Sequence, residues 1–249
     1  MQSGAPKKET SPWVYIGCGC AGLVVLAMIA FAVMTWLFYR EGKEFEKAWS
    51  DPKAREEKAR EVVGWSTLPE GYYPVGSFSI PFLMDFALFT DEPPAEGAKP
   101  DSERPSGNFK ERGFVFISMR SFGKRGRELT DFMQGKGEKP EWLESDAEFK
   151  SGELIGRGSV EANGQPVLYS ATRGEFNRDG ENREGITTLL GIDCPGSDRV
   201  RMGVWFGPDP HKGKPIAESD YTGTNADPKV IEAFASHFRF CPGAGQPAR

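Results

Sequence analysis

The chain has 249 residues, with 31 Lys and Arg against 36 Asp and Glu, so its net charge is -5 and its pI is near 5.3. This length suits one domain with appendages, and a mildly acidic chain lacks the concentrated positive charge that nucleic-acid binding requires. A hydrophobic content of 38%, with 30 Gly and 19 Pro, predicts that much of the chain is loop or solvated surface.

An uncharged segment follows a short N-terminal tail of residues 1–12. No Asp, Glu, Lys or Arg occurs between Glu9 and Arg40, and an apolar run of about 18 or more residues is typical of a transmembrane helix. We therefore predict a single-pass helix over residues 13–39, with the lipid bilayer as its partner. Aromatic rings, which favour the headgroup level, mark both ends of this segment: Trp13, Tyr15, Trp36 and Tyr39.

Small residues occupy the first turns of this predicted helix. Gly17 and Ala21 are four residues apart and share one helix face, where small side chains let two membrane helices approach closely. This face is a candidate for pairing with a second copy or with another membrane or envelope protein, although a helix end that simply contains small residues is the alternative. Ala30 and Ala32 have the spacing of a signal-peptidase site, but the apolar run continues to Tyr39, which favours an uncleaved signal anchor.

The direction of the helix across the bilayer is ambiguous in the sequence. More Lys and Arg follow the helix than precede it, and by the positive-inside rule alone the C-terminal domain faces the cytoplasm. Long domains, however, cross membranes largely regardless of charge. Cys194 and Cys241 are either a disulfide, which needs an oxidising compartment, or two unpaired buried thiols. On balance we predict that the domain lies outside the cytoplasm.

The region after the membrane segment divides by composition. Residues 40–63 carry dense mixed charge, and Asp51 and Pro52 are suited to begin a helix, so we predict a charged juxtamembrane helical stalk. Residues 64–71 are predicted as a hinge and residues 72–243 as a soluble domain, followed by a tail at 244–249. Within the domain, residues 91–112 hold four prolines and no core-forming pattern, which predicts a long, mobile loop.

The soluble domain shows the patterns of an α+β fold. Apolar runs predict strands at residues 79–89, 113–119, 152–161, 166–175, 185–194 and 199–206, with Asn163-Gly164 as a hairpin turn. A short helix is expected over residues 127–133. The last helix begins at Asp227 and carries an apolar stripe that must pack on the sheet: Ile231, Phe234, Ala235 and Phe238. Segregated helices on a mainly antiparallel sheet make an α+β domain.

The order of these elements resembles that of the PsbP-like fold of photosystem extrinsic proteins and related accessory domains. The closing segment EAFASHFRF (Glu232 to Phe240) is similar to the serine-phenylalanine ending of the last helix in such domains, although His237 stands between Ser236 and Phe238. The resemblance would span residues 72–243. It implies a non-enzymatic accessory or binding role and transfers no functional residue.

Few residues form a pattern typical of a catalytic or metal site. His211 and His237 are the only histidines and share no ligand spacing, and neither a phosphate-binding loop nor a Gly-x-Ser-x-Gly elbow occurs. Glu175, Asn177 and Asp179 alternate before a glycine as in a calcium loop. The twelfth position of that loop is isoleucine, however, so we interpret the segment as a hairpin. We expect no catalytic residue, cofactor or metal.

A basic cluster, defined as Arg120, Lys124, Arg125 and Arg127, is either a solvated loop or a site for anionic headgroups.

The leading functional prediction is a membrane-anchored, extracytoplasmic accessory or binding domain without catalytic activity. One alternative is a membrane-anchored hydrolase that uses carboxylates such as Asp193 and Glu175. Another is a regulatory protein that faces the cytoplasm.

Overall fold

A computed structural model describes residues 36, 39–40, 42–43, 51–94, 110–120, 124–145, 152–178 and 181–241. The chain forms two compact units, Met1–Lys43 and Glu44–Arg249. The residues described in the first unit are helical, and Trp36 and Tyr39 expose 58% and 62% of their surface. No helix within the described ranges is long and apolar enough to cross a membrane. The sites predicted at Trp13, Tyr15, Gly17 and Ala21 lie outside these ranges.

The second unit is an α+β domain with a large antiparallel sheet, as the sequence predicts. Seven strands lie in the order β2-β3-β4-β8-β7-β6-β5, and β1 and β9 form a separate two-stranded ladder. The elements are α1 (Pro52–Val62), β1 (Gly64–Trp65), β2 (Tyr73–Ile80), β3 (Met84–Thr90), β4 (Gly113–Arg120), α2 (Arg125–Met133), α3 (Glu141–Ser145), β5 (Glu153–Ala162), β6 (Gln165–Arg178), β7 (Glu181–Ile192), β8 (Arg199–Pro208), a 3-10 turn (Ile216–Glu218), α4 (Pro228–Ala235) and β9 (Phe238–Arg239).

Two of the hairpin turns differ in how clearly the sequence marks them. Asn163 and Gly164 both have positive φ, 52° and 72°, which is the conformation of a two-residue turn between twisted strands, and β5 and β6 pair as predicted. The run at residues 79–89, by contrast, is wrongly predicted as one strand. The chain reverses at Pro81–Leu83, where the Leu83 amide donates to the Ile80 carbonyl at 3.0 Å. Because apolar residues form this turn, the sequence lacks the usual polar turn signal.

One face of the sheet, here called the first face, holds the main aromatic core beneath α1 and α4. The ring of Phe234 stacks on Trp205 with centroids 3.9 Å apart and an interplanar angle of 8°, and it meets Phe114 edge-on at 5.1 Å. Trp205 also donates its indole N–H to the buried Tyr72 hydroxyl at 2.6 Å. Burial raises the pKa of Tyr72. This packing fixes the last helix on the sheet through the predicted stripe.

The opposite, second face is covered by α2 where it crosses β6, β7 and β8. Leu129 and Met133 of α2 are buried there with Leu143 and alternate residues of β8. A Cβ atom at Gly191 would lie only 2.5 Å from the Met133 sulfur, so the glycine lets the helix approach the sheet. Both faces of β8 are buried, because helices lie on both sides of the sheet.

Residues 51–63 of the predicted stalk and the predicted hinge at residues 64–71 are packed into the domain. Asp51 caps α1 by accepting from the Lys53 amide at 2.9 Å, as predicted, but Ala59 and Val63 are fully buried against the sheet. Trp65, in the predicted hinge, is buried and pairs with Phe238 of β9. The many charged side chains of α1 conceal its short apolar stripe in the sequence.

The two ends of the predicted loop at residues 91–112 are held together by one carboxylate. Asp91 accepts hydrogen bonds from the backbone amides of Lys110, Glu111 and Arg112 at 2.7, 2.8 and 2.9 Å. The Asp91 amide also donates to the Arg112 carbonyl at 3.1 Å. Residues 95–109 lie outside the described ranges. Hydrogen bonds therefore join the two ends of the loop where it leaves β3 and enters β4.

We predict that Phe234→Ala lowers the free energy of unfolding by about 3–5 kcal/mol, because it removes a buried ring from contact with four other aromatic side chains. Urea unfolding of the detergent-solubilised full chain, followed by near-ultraviolet circular dichroism, measures the change. Glu232→Ala on the exposed side of the same helix is the control and should change stability by less than about 0.5 kcal/mol. Equal losses from both variants would contradict this account of the core.

Candidate functional site

The Cys194–Cys241 pair forms a disulfide in the structure. The two Sγ atoms are 1.99 Å apart and the Cα atoms 5.6 Å apart. Cys194 is buried just after β7, and Cys241 follows β9, so the bond ties the C-terminal end of the domain to the sheet. A link between residues 47 positions apart stabilises the folded state by about 4 kcal/mol in the chain-entropy model.

A buried ion pair organises the long loop after β8. The Arg173 guanidinium lies 2.6 Å from Asp209, whose side chain is fully buried. At this pair the Arg173 Nε and the carboxylate oxygen are close but not aligned as a hydrogen bond, so we interpret the contact as electrostatic. Arg173 also donates to the carbonyls of His211 and Lys214, and its guanidinium lies 5.6 Å from the Tyr221 ring centroid.

The return of this loop to the sheet is fixed by Asn225. Its side-chain amide donates to the Ile186 carbonyl at 3.0 Å and to the Trp205 carbonyl at 3.1 Å, and the backbone carbonyl of Asn225 accepts from the Thr188 hydroxyl. A Cβ atom at Gly207 would lie 2.7 Å from the Asn225 side-chain oxygen, so that position needs glycine. The polar residues of this region are therefore engaged in holding the loop in place.

A second polar group lies at the end of the first face. Arg199 donates to the Asp85 carboxylate at 2.7 Å and to the Ser118 hydroxyl at 2.8 Å. Arg201 is buried and donates to the Ser197 hydroxyl at 2.8 Å. Burial, followed by the nearby Arg199 charge, lowers the pKa of Arg201. Each of these arginines has a polar partner, which is the pattern of a structural network.

Two members of the basic cluster, Lys124 and Arg125, line a shallow cleft of about 730 Å³ between α2 and α3. Its polar walls carry both signs of charge, and Trp142 lies in contact with the Arg125 guanidinium, 5.8 Å from ring centroid to charge centre. The Trp142 indole donates to Glu128 at 3.3 Å. A charged, open cleft with one aromatic side chain is suited to contact a polar partner surface. It offers little enclosure for a small molecule.

The other residues that the sequence marks as candidate site residues do not lie together in one site. His211 Nε2 lies 2.6 Å from the Asp220 carbonyl, and His237 Nδ1 lies 2.9 Å from the Thr67 carbonyl. Glu175 pairs with Glu184 in the β6–β7 ladder, whereas Asp193 lies nine residues farther along the chain, about 30 Å away at the usual rise per residue. The backbone positions of Glu175 and Asp193 are therefore far apart along the sheet.

The calcium-like segment lies in the β6–β7 hairpin. The ladder continues through Glu175 and Asn177 to the Arg178–Glu181 pair, and Asp179 lies outside the described ranges. Within the part of the chain that the structure describes, no group of three or more His, Cys, Asp or Glu side chains is placed to hold a metal ion. The backbone on either side of residues 179–180 belongs to the β6–β7 ladder.

One exposed feature was not singled out from the sequence. Phe82 and Leu83, in the turn between β2 and β3, expose 68% and 43% of their surface. Bulky apolar residues directly after Pro81 indicate this feature in the sequence, but the strand predicted over residues 79–89 includes them.

No family model, curated protein or solved structure matches the chain.

We predict that Arg173→Met destabilises the domain by about 3–5 kcal/mol, because it leaves the buried Asp209 carboxylate without its counter-charge. Amide hydrogen exchange should accelerate over residues 209–221 more than in β4.

Arg157→Met is the matched control. Arg157 also donates to a backbone carbonyl and lies over a phenyl ring, but it is exposed and, among the residues that the structure describes, pairs with no buried carboxylate. Its loss should cost about 1 kcal/mol or less. If the control accelerated exchange in residues 209–221 as strongly, Arg173 would not be the organising residue of the loop.

Proposed function

We propose that the protein is a membrane-anchored accessory or binding protein whose α+β domain lies outside the cytoplasm. The observation that carries this proposal is the uncharged segment between Glu9 and Arg40. Its predicted span of residues 13–39 measures about 40 Å as a helix, which is sufficient to cross a hydrocarbon core of about 30 Å with its ends at the headgroups. Aromatic residues at both ends support an interfacial position for those ends.

The orientation is supported by the Cys194–Cys241 disulfide. Disulfides form and persist in secreted, periplasmic and cell-surface settings, and thiols in the cytosol are kept reduced. Here the bond joins the end of a central strand to the C-terminal end of the domain and is set among core residues. A domain that uses this bond to fix its last helix is best suited to an oxidising compartment.

The binding role is supported by the way the polar residues are used. Arg173, Arg199 and Asn225 support loops and strand ends through hydrogen bonds and ion pairs within the domain. The charged cleft between α2 and α3 is open and shallow, which suits a macromolecular partner. The resemblance to PsbP-like accessory domains points to the same class of role and stays a prediction.

A cytoplasm-facing regulatory protein is the second candidate. It is favoured by the positive charges that follow the predicted membrane helix, among them Arg40, Lys43 and Lys47. In that orientation the two cysteines would be maintained as thiols. The two candidates therefore differ in a measurable property, the compartment of the C-terminus.

We expect the full chain to stay with membranes during alkaline carbonate extraction and to be released by detergent, because an inserted helix is not an electrostatic attachment. A C-terminal alkaline phosphatase fusion should be active and a C-terminal green fluorescent protein fusion dark, since each reporter works on only one side of the membrane. Release by carbonate would contradict the anchor. The reverse reporter pattern would support the cytoplasm-facing candidate instead.

A further inference from the structure

The turn between β2 and β3 exposes apolar side chains at the end of the sheet. Phe82 is the most exposed large hydrophobic residue among those described, at 68%, and its neighbour Leu83 is exposed at 43%. Phe82 also has φ of 65°, a left-handed conformation that is unfavourable for a bulky L residue and in which glycine or asparagine is more usual. This turn, residues 81–83, is here called the apolar tip.

An apolar strip on the second face leads to this tip. The rings of Phe78 and Phe86 stack across β2 and β3 with centroids 5.0 Å apart. Closer to the tip, Ile80 pairs with Met84 and Met84 with Met119, and all three side chains are half-buried. The exposed Phe82 and Leu83 therefore extend an apolar surface beyond the hydrogen-bonded strands.

Positive charge lies beside the tip. The Arg120 amide donates to the Leu83 carbonyl at 2.9 Å, which fixes Arg120 next to the turn. Lys124 follows four residues later, so it lies within about 14 Å of Arg120 along the chain. Lys124, Arg125 and Arg127 are exposed on the first turn of α2. Arg120 forms an exposed ion pair with Asp198, which offsets little of its charge in water.

We propose that the apolar tip and the basic cluster together bind the surface of a lipid bilayer with anionic headgroups. Phe82 and Leu83 enter the interface, and the cluster of Arg120, Lys124, Arg125 and Arg127 faces the phosphates. An exposed aromatic and aliphatic pair flanked by Lys and Arg has the composition of interfacial membrane contacts. A hairpin end is narrow and projecting, and a fluid lipid interface accepts such a shape without a matching pocket.

This proposal rests on the proposed membrane anchor. Residues 40–50 separate the predicted helix from α1 and reach at most about 40 Å when extended. The domain is thereby confined close to the bilayer, and a contact that is weak for a free protein becomes highly populated at the resulting effective concentration. The contact would orient the domain, with the far end of the sheet directed away from the lipid.

The test uses the full chain with Cys18→Ala and Cys20→Ala, so that an introduced cysteine is the sole free thiol beside the disulfide. Phe82→Cys carries an NBD fluorophore, and the chain is reconstituted into vesicles with a minority of phosphatidylglycerol. Leu154→Cys is the matched control, because Leu154 is also an exposed apolar residue, at 42%, but lies on the edge strand β5 at the opposite edge of the sheet. Quenching by lipids with nitroxide-labelled acyl chains reports insertion.

We expect quenching and a blue-shifted emission at position 82 and neither at position 154. Adding Lys124→Gln and Arg127→Gln should reduce the quenching at position 82, as should vesicles of phosphatidylcholine alone. A different result would overturn the proposal: energy transfer between labelled copies that persists after dilution into excess vesicles, with no lipid quenching. That result would show that the tip contacts a second copy of the chain.

Flotation of the same vesicles separates the two hypotheses. A chain that floats with the vesicles but is unquenched at position 82 overturns the lipid contact alone and leaves the anchor standing. A chain that fails to float overturns the anchor and with it this contact.

Discussion

The aromatic packing of Phe234 between α4 and the sheet is the contact on which the other parts of the domain depend. Phe234 stacks on Trp205, and Trp205 in turn donates to Tyr72 near the start of β2. Once α4 is seated, the chain continues directly into β9, whose Phe238 pairs with Trp65. The disulfide follows at Cys241. One seated helix therefore places the N-terminal ladder and the C-terminal crosslink.

The two faces of the sheet are covered by different side chains and helices. The first face is filled by aromatic rings beneath α1 and α4, and at the end of the sheet that carries the apolar tip this packing gives way to the network of Arg199 and Asp85. On the second face α2 reaches β6, β7 and β8, and the strip on β2 and β3 ends in the exposed Phe82. This asymmetry is the physical basis for proposing that the tip side of the domain faces the lipid bilayer.

Elements whose side chains alternate or repeat regularly were predictable from the sequence. The last helix is an example, because Asp227, Pro228 and the stripe through Phe234 give its cap, its first residue and its buried face. The β5–β6 hairpin was similarly marked by Asn163 and Gly164, which accept positive φ. In both cases local conformational preference and burial point to the same structure.

Other features depend on tertiary contacts that leave no local pattern. Helix α1 is highly charged, and its place in the core is shown by the burial of Arg55 and Ala59 within the helix and of Val63 directly after it. The turn at Pro81–Leu83 lacks polar turn residues, so it was not recognised. The roles of Arg173 and Asn225 follow from partners 36 to 39 residues away in sequence, such as Asp209 and Ile186, and no spacing rule identifies such pairs.

The central claim is that a disulfide-closed domain is attached to the outer side of a membrane. Counting free thiols on the full chain tests it most directly. Membranes from the native host would be acid-quenched and labelled with a maleimide polymer under denaturing conditions. The account predicts that two of the four cysteines, Cys18 and Cys20, react before reduction and all four react after it. Four reactive thiols before reduction would contradict the account.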